Sequence, residues 1–250
     1  MEEYLEFAKE IAKYAGKIML NYFNGNNYSQ YKGDNTIVTT ADIEINNYLI
    51  KRVKEKYPNH SVDGEENQFG ESSFVWVCDP IDGTAMYARH IPVAVFSLAL
   101  VIDGIPMLGV IYDPFTNNMY WAIKNKGAYQ NNKLIKVNNY KLEDIRTLCH
   151  CDMFTNKEYN ICKVFEKLKD ITHLNDIGSI AHVCSCIATG DYTLAIFTGT
   201  KHKNCDIAAA KIIVEEAGGK VTSLFGNEQR YDESIDGAII SNGIVHDDVV

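Results

Sequence analysis

Apolar residues near the start of the chain recur every three or four positions, which is the spacing of an amphipathic helix. The pattern extends over Tyr4–Tyr22 and predicts one helix across the first 24 residues. A second helix is predicted from Thr39 or Thr40 to about Tyr57, because a threonine caps a helix start and Pro58 ends the pattern. The chain therefore begins with two helices.

Short apolar runs separated by turn residues follow these helices and predict strands. The predicted strands are Phe74–Cys78, Val93–Ile102, Ile105–Tyr112 and Met119–Ile123. Asp103-Gly104 separates the second run from the third and is a strong hairpin signal. Residues 74–137 therefore predict a largely antiparallel sheet.

The last hundred residues alternate between helical patterns and short apolar runs. Helices are predicted near 156–168, 178–189 and 206–217, and apolar runs lie at 145–149, 171–174, 192–197 and 238–241. Such alternation is typical of a mixed sheet with helices on its faces. We expect an α+β (mixed α/β) layered sandwich that forms a single compact domain over residues 1–250, with a soft internal boundary near residue 140.

Composition and charge narrow the class of protein. The 250 residues are 46% hydrophobic and 23% charged, as in ordinary soluble globular proteins. The formal net charge of −9 argues against a nucleic acid polymer as partner, because such binding requires a basic surface. If the ligand is an anion, local cations or bound metal must offset the acidic balance.

The first residues, the longest apolar stretch and the cysteines together predict where in the cell the protein lies. The chain begins Met1-Glu2-Glu3, which does not fit a signal peptide, and its longest apolar stretch, Ile91–Ile102, is too short to span a bilayer. We therefore expect no membrane partner. The seven cysteines are an odd number, which favours reduced thiols in the cytoplasm.

One segment carries a strong chemical signal, the sequence Asp-Pro-Ile-Asp-Gly-Thr at residues 79–84. Asp79 and Asp82 stand where a buried strand ends, and buried carboxylates are costly unless a cation neutralises them. Two such oxygen ligands favour Mg²⁺ or Mn²⁺. An isolated Asp-x-x-Asp is more often a simple turn, but the whole hexapeptide is very improbable by chance.

Two further acidic segments are weaker signals. Asp63-Gly64-Glu65-Glu66 precedes the hexapeptide, and Asp206 precedes a helix rich in small residues. Alone, the first would be interpreted as a solvated turn and the second as a helix cap.

Together these segments resemble the inositol monophosphatase family of Mg²⁺-dependent, lithium-sensitive sugar and nucleotide phosphatases. The family pattern is a Gly-Glu-Glu segment, then Asp-Pro-Ile-Asp-Gly-Thr, then an Asp followed by small residues and Ala-Gly-Gly. The chain matches it at Gly64–Glu66, Asp79–Thr84 and Asp206–Gly219, with weaker similarity at Lys32–Asp42 and Gly178-Ser179. The resemblance covers nearly the whole chain and implies an αβαβα sandwich of the sugar-phosphatase type.

The resemblance also implies a ligand set for two to three Mg²⁺ ions, with Mn²⁺ as an alternative. The metal ligands would be Glu65, Asp79, the carbonyl of Ile81, Asp82, Thr84 and Asp206. Thr84, oriented by Asp42, and Glu65 would position and deprotonate a water that attacks phosphorus directly, with no covalent phosphoenzyme.

The substrate contacts implied in the same way surround this metal set. They are Asp82, Gly83, Thr84, Ala85, Gly178, Ser179, Lys201, Lys203 and Asp206. A helix that starts at Thr84 would direct backbone N–H groups toward the phosphate.

Departures from the family pattern leave the substrate open. Cys205 replaces the usual Trp before the metal-binding Asp, and Lys201–Lys203 stands where inositol-specific members carry a hydroxyl-binding Glu. The sequence thus predicts a phosphomonoesterase for an inositol monophosphate-like or related sugar or polyol phosphate. Fructose 1,6-bisphosphate, histidinol phosphate and phosphoadenosine phosphate stay open as substrates, and the basic run favours one with a second anionic group.

A non-catalytic, metal-dependent binding or regulatory protein is the alternative from another class. The resemblance also implies a homodimer.

Overall fold

A computed structural model describes residues 1–25, 28–33, 36–151, 161–198 and 204–250. The helices are α1 (Glu2–Phe23), α2 (Thr40–Lys56), α3 (Thr84–Tyr87), α4 (Ile161–Leu168), α5 (Ile180–Thr189) and α6 (Asn204–Glu216). The strands are β1 (Ser29–Tyr31), β2 (Ile37–Thr39), β3 (Ser61–Gly64), β4 (Gln68–Phe69), β5 (Phe74–Asp82), β6 (Val95–Ile102), β7 (Ile105–Asp113), β8 (Asn118–Ile123), β9 (Ala128–Gln130), β10 (Lys133–Leu134), β11 (Leu148–Cys151), β12 (His173–Asn175), β13 (Leu194–Phe197), β14 (Lys220–Thr222) and β15 (Ala238–Ser241).

The larger sheet has eight strands in the order β10-β9-β8-β7-β6-β5-β3-β4. Its neighbours pair antiparallel except for β3 and β5, which run parallel. Asp103 and Gly104 both adopt positive φ, 51° and 85°, as the turn between β6 and β7 requires. The antiparallel sheet predicted for the middle of the chain is confirmed.

The smaller sheet has five strands in the order β12-β11-β13-β15-β14. β11 pairs parallel with β12 and β13, whereas β15 pairs antiparallel with β13 and β14. The mixed sheet predicted for the last hundred residues is therefore confirmed.

Three hydrophobic clusters show how the layers stack. In the first, α1 and α2 cover one face of the larger sheet, with Trp76 and Phe96 fully buried beneath them. In the second, α5 and α6 fill the space between the two sheets. In the third, α4 lies with the far face of the smaller sheet. The order helix, sheet, helix, sheet, helix is the predicted αβαβα sandwich, built from a mixture of helices and strands.

The middle layer approaches the larger sheet closely through a glycine. A Cβ on Gly109 of β7 would lie 2.7 Å from the carbonyl oxygen of Ala209 in α6. Ala208, Ala209 and Ala210 are all fully buried in this contact region. Small residues on both partners therefore set the distance between α6 and the sheet.

Two elements around the hexapeptide differ from prediction. β5 continues to Asp82 rather than ending at Cys78, with an irregularity in its pairing to β6 between Asp79 and Asp82. The helix expected from Thr84 is only the single turn α3, which follows Gly83 at φ 94°. The helix starts at Thr84 as predicted, but a single turn aligns few peptide dipoles and contributes only a small dipole field.

Within the described ranges, no helix combines the length and the apolar character needed to cross a membrane.

Candidate active site

Two carboxylates distant in sequence meet where the middle helix layer reaches the larger sheet. Asp79 lies on β5 and Asp206 in the first turn of α6, and both are almost fully buried. One side-chain oxygen of each, together with the Cys205 sulfur, lies within 4.8 Å of the others. In the described part of the chain, this is the group of three potential ligands close enough to hold a metal ion.

Asp82 is positioned by the start of α5. The Ser179 hydroxyl donates to Asp82 Oδ1, and the Ala181 N–H donates to Oδ2 at 3.2 Å. The turn at Gly83 packs tightly against the same loop, since a Cβ there would lie 3.0 Å from the Gly178 carbonyl oxygen. The structure thus brings Asp82 and Gly83 together with Gly178 and Ser179, as the sequence predicted.

Thr84 links the hexapeptide to α2. Its hydroxyl lies 2.8 Å from the Ile81 carbonyl oxygen and 3.3 Å from Asp42 Oδ1. Asp42 Oδ2 accepts hydrogen bonds from the backbone N–H and the hydroxyl of Thr39, at 2.8 and 2.6 Å. Burial raises the pKa of Asp42 to about 7, although the Thr39 hydrogen bonds act in the opposite direction. The predicted pairing of Thr84 with Asp42 is present in the structure.

Glu65 reaches the site because β3 pairs with β5. Gly64 lies opposite Cys78 in that pairing, and the Glu65 N–H donates to the Cys78 carbonyl at 3.0 Å. The Lys32 ammonium bridges the two glutamates, at 3.3 Å from Glu65 and 2.6 Å from Glu66. A tethered lysine thus supplies positive charge at this edge of the acidic site.

The remaining predicted contacts are only partly visible. Ala85 is exposed in the α3 turn, where its carbonyl accepts a hydrogen bond from Arg89. Gly178 has φ 76°, and its N–H donates to Asp176 Oδ1 at 2.8 Å. Lys201 and Lys203 lie outside the described residues.

Sequence reasoning assigned no role to three residues that shape the site. Lys32 lies in a segment noted only for its family similarity. Asn46 accepts hydrogen bonds from the backbone of Glu66 and Asn67 at 3.3 and 3.4 Å and so supports the glutamate loop. Asn204 donates to Asp63 and to the Tyr231 carbonyl, at 2.8 and 3.1 Å, which anchors the start of α6. Their partners lie 20 or more residues away, so local sequence carried no signal for them.

A cleft of about 660 Å³ adjoins the site. Glu65, Cys205 and Lys32 line it, and so do Asn204 and residues of the 232–234 segment. Asp79 and Asp206 are not among its lining residues, so the cleft borders the site at Glu65 and Cys205, with a volume sufficient for a small metabolite.

Comparison with known proteins shows which sequences and structures the chain resembles. The sequence model of the inositol monophosphatase family matches residues 1–249. A protein of Thermotoga maritima named fructose-1,6-bisphosphatase/inositol-1-monophosphatase is 31% identical, over 98% of this chain and 94% of its own. Tomato inositol monophosphatase 1 is 30% identical, over 91% of this chain and 87% of its own. A Thermotoga maritima inositol monophosphatase structure superimposes with a TM-score of 0.88 at 26% identity, covering 100% of this chain and 95% of its own.

Fold, site and relatives define the class first: the protein is a phosphatase that hydrolyses phosphate monoesters of small metabolites. Within that class, the chain belongs to the inositol monophosphatase family. The resemblance and the enzyme class predicted from the sequence are thereby confirmed.

Proposed function

We propose that this phosphatase is Mg²⁺-dependent and acts on a small sugar or polyol phosphate by direct attack of water. The proposal depends on one observation: side-chain oxygens of Asp79 and Asp206 lie within 4.8 Å of each other, although β5 and α6 are far apart along the chain. Gathering like charges in a buried site is unfavourable unless a cation joins them. The acidic protein would thus bind its anionic substrate through metal.

The chemistry of the donors fits Mg²⁺ or Mn²⁺. Carboxylates, a carbonyl and a hydroxyl are the hard oxygen ligands that these ions prefer. The proposed ligands for two or three ions are Glu65, Asp79, the Ile81 carbonyl, Asp82, Thr84 and Asp206. When bound, the ions would lower the pKa of a water and stabilise negative charge on phosphate and leaving oxygens.

The chain's own residues orient the nucleophile in this proposal. The Thr84 hydroxyl, 3.3 Å from Asp42 Oδ1, holds the attacking water and can pass a proton to that oxygen. Glu65, which directly follows the neighbouring strand β3, would support the same role. A carboxyl whose pKa is about 7 is well matched to a proton acceptor near neutral pH.

The substrate phosphate is proposed to lie against the backbone of Gly83, Thr84 and Ala85. Gly178 and Ser179 form the adjacent wall, because the Gly83 turn packs directly on that loop. Asp82 and Asp206 would accept hydrogen bonds from substrate hydroxyls. Lys201 and Lys203 would contact a second anionic group.

A bisphosphate is the second candidate substrate. The Thermotoga maritima relative carries both activities in its name, which supports testing fructose 1,6-bisphosphate beside inositol monophosphate. The deciding experiment measures phosphate release from about ten phosphate esters, including histidinol phosphate and phosphoadenosine phosphate, with and without Mg²⁺. We expect turnover that requires Mg²⁺ and is highest on one sugar or polyol phosphate. No release from any ester would favour a binding or regulatory protein instead.

Further properties are proposed on the family resemblance. We expect inhibition by lithium, a homodimer in solution, residence in the cytoplasm and one cooperative unit over residues 1–250. An LiCl titration of the assay, light scattering after gel filtration, localisation of a tagged chain and calorimetric unfolding test these four in turn.

A further inference from the structure

Cys205 adds a sulfur to the ligand set at the point where the carboxylates meet. Its thiol donates to Asp206 Oδ1 at 3.3 Å, and its sulfur belongs to the group whose atoms all lie within 4.8 Å. The Ser97 hydroxyl donates to the Cys205 carbonyl at 3.4 Å and helps fix the first turn of α6. Cys205 is nearly fully buried, yet it lines the cleft. The residue is therefore held in place at the wall of the cleft.

We propose that Cys205, Asp79 and Asp206 form a binding site for a soft divalent cation of the Zn²⁺ class, which competes with Mg²⁺. The inference rests on the proposed function for its consequence, inhibition of the phosphatase, but not for the binding itself. A thiolate and two carboxylates give three protein donors, and a fourth position stays open to water, as in many catalytic zinc sites. Mg²⁺ gains little from sulfur, whereas Zn²⁺ and Cd²⁺ gain strongly.

The binding step balances in atoms and charge. The metal–sulfur bond forms as the thiol S–H bond breaks and its proton leaves for solvent. The bound ion then occupies Asp79 and Asp206, the two carboxylates on which Mg²⁺ depends. Zinc should therefore inhibit, and excess Mg²⁺ should oppose that inhibition.

The test measures metal binding to the Cys205 sulfur directly and does not depend on catalytic activity. Cd²⁺ is titrated into the reduced, metal-free protein, and the ultraviolet thiolate-to-cadmium charge-transfer absorption is recorded for wild type, Cys205→Ala and Cys162→Ser. Cys162 is the exposed thiol on α4 and serves as the matched control. We expect one equivalent of Cd²⁺ to produce the band in wild type and Cys162→Ser, and no such band in Cys205→Ala.

Affinity and inhibition supply the second readout. Cys205→Ala should raise the Kd for Zn²⁺ at least 10- to 100-fold, roughly the loss seen even for groups that only support a metal ligand. The Zn²⁺ needed to inhibit Mg²⁺-supported hydrolysis should rise in parallel.

The outcomes separate this inference from the proposed function. A band of equal size and affinity in Cys205→Ala would overturn the inference, even if Mg²⁺-dependent hydrolysis is normal. A Cys205-dependent band in a protein that hydrolyses no ester would leave the zinc site standing and overturn the proposed function. Circular dichroism and the unfolding midpoint of Cys205→Ala show whether the variant is folded, and Cys205→Ser gives the same comparison with a smaller change of shape.

Discussion

Two regions of α6, its first turn and its middle, place buried charge in different surroundings. At the first turn, Asp206 lies beside Asp79 and the Cys205 thiol. In the middle of the helix, the Lys211 ammonium donates to Glu215 and Glu228, both at 2.7 Å, and to the Val221 carbonyl at 2.9 Å. Asp206 and Lys211 are 4% and 7% exposed, so both charges are largely removed from water.

The two regions differ in which charges they bring together. Around Lys211, opposite charges of the chain meet, so these charges contribute to the folded state. Around Asp206, two carboxylates and a thiol meet, and we propose that a metal ion from solution binds between them. The middle of α6 therefore serves stability and its first turn serves binding, and variants in the two regions should change different measurements.

The largest expected effect comes from Asp206→Asn. Activity should fall on the order of 10³-fold or more, because a proposed metal ligand is lost. The unfolding midpoint of the metal-free protein should hold or rise, since removing a charge relieves repulsion with Asp79. Phosphate release and calorimetry measure the two. Asp247→Asn removes the same charge from an exposed pair with Lys220 and should be active, and near-normal turnover of Asp206→Asn would refute the site.

Metal addition sharpens the same contrast. Mg²⁺ at about 100 times its Kd should stabilise wild type by roughly 2.7 kcal/mol, because it binds only the folded state. Asp206→Asn should gain much less, whereas Lys211→Met should gain as much as wild type. Thermal unfolding with EDTA or Mg²⁺ measures all three, and an equal gain in wild type and Asp206→Asn would contradict the assignment.

Lys211→Met should act on stability alone. It removes the Lys211 ammonium from the Val221 carbonyl and from half-buried Glu215, which costs about 1–3 kcal/mol of unfolding free energy. The kcat and KM of the folded protein should stay at wild-type values. Urea unfolding measures the loss, and Glu228→Gln is the matched control, because Glu228 is largely exposed and its pair with Lys211 should contribute little. A large fall in kcat for Lys211→Met would show that the first turn and the middle of α6 are coupled.

Ser179→Ala tests the support of a proposed ligand rather than a ligand itself. Without its hydroxyl, Asp82 keeps only the Ala181 N–H of the two donors described above. The Mg²⁺ concentration for half-maximal activity should rise roughly 10- to 100-fold, with smaller change in kcat at saturating Mg²⁺. Ser179→Thr retains the hydroxyl and should recover much of the affinity. Unchanged Mg²⁺ dependence in Ser179→Ala would count against Asp82 as a ligand.

The smallest expected effect is the pH dependence of the unfolding free energy that His246 contributes. His246 is buried between the hydroxyls of Thr222 and Ser241, both at 2.9 Å, and burial lowers its pKa from 6.5 to about 4. The neutral ring is the folded form, so its contribution is complete above pH 6.5 and is lost as pH falls toward 4. We expect a decline of about 1–2 kcal/mol, because neighbouring charges and solvent reduce the full linkage value. Urea unfolding at pH 7.5, 6 and 5 measures it, and a His246→Gln variant with the same pH slope would contradict the assignment.

Sequence predicted best where the structural signal is local. The Asp103-Gly104 hairpin is specified by the turn residues themselves, and α1 by its apolar spacing. β3 was missed because Ser61–Gly64 contains a single large apolar residue and is held by parallel pairing with β5. α3 is a single turn between two residues with positive φ, Gly83 at its start and His90 three residues past its end, where φ is 56°.

The acidic site was predictable as a set of motifs but not as a geometry. The family pattern named Asp79, Asp82 and Asp206, yet nothing local placed the Ser179 hydroxyl on a carboxylate 97 residues away. The Lys32 bridge to Glu65 and Glu66 likewise depends on tertiary packing. These contacts follow from the layering of sheets and helices, which residue patterns predict only in outline.

The close approach of Gly109 to Ala209 has a consequence for how the protein can evolve. That contact sets how far α6 stands from the sheet that carries Asp79, and hence the span across which any ion must be held. Even one added methyl group at Gly109 would force the helix outward and widen that span, with every liganding residue unchanged. Substitutions among relatives should therefore be tolerated more readily at the cleft rim than at the Gly109–Ala209 contact. At that contact the constraint is on side-chain volume and not on chemical type.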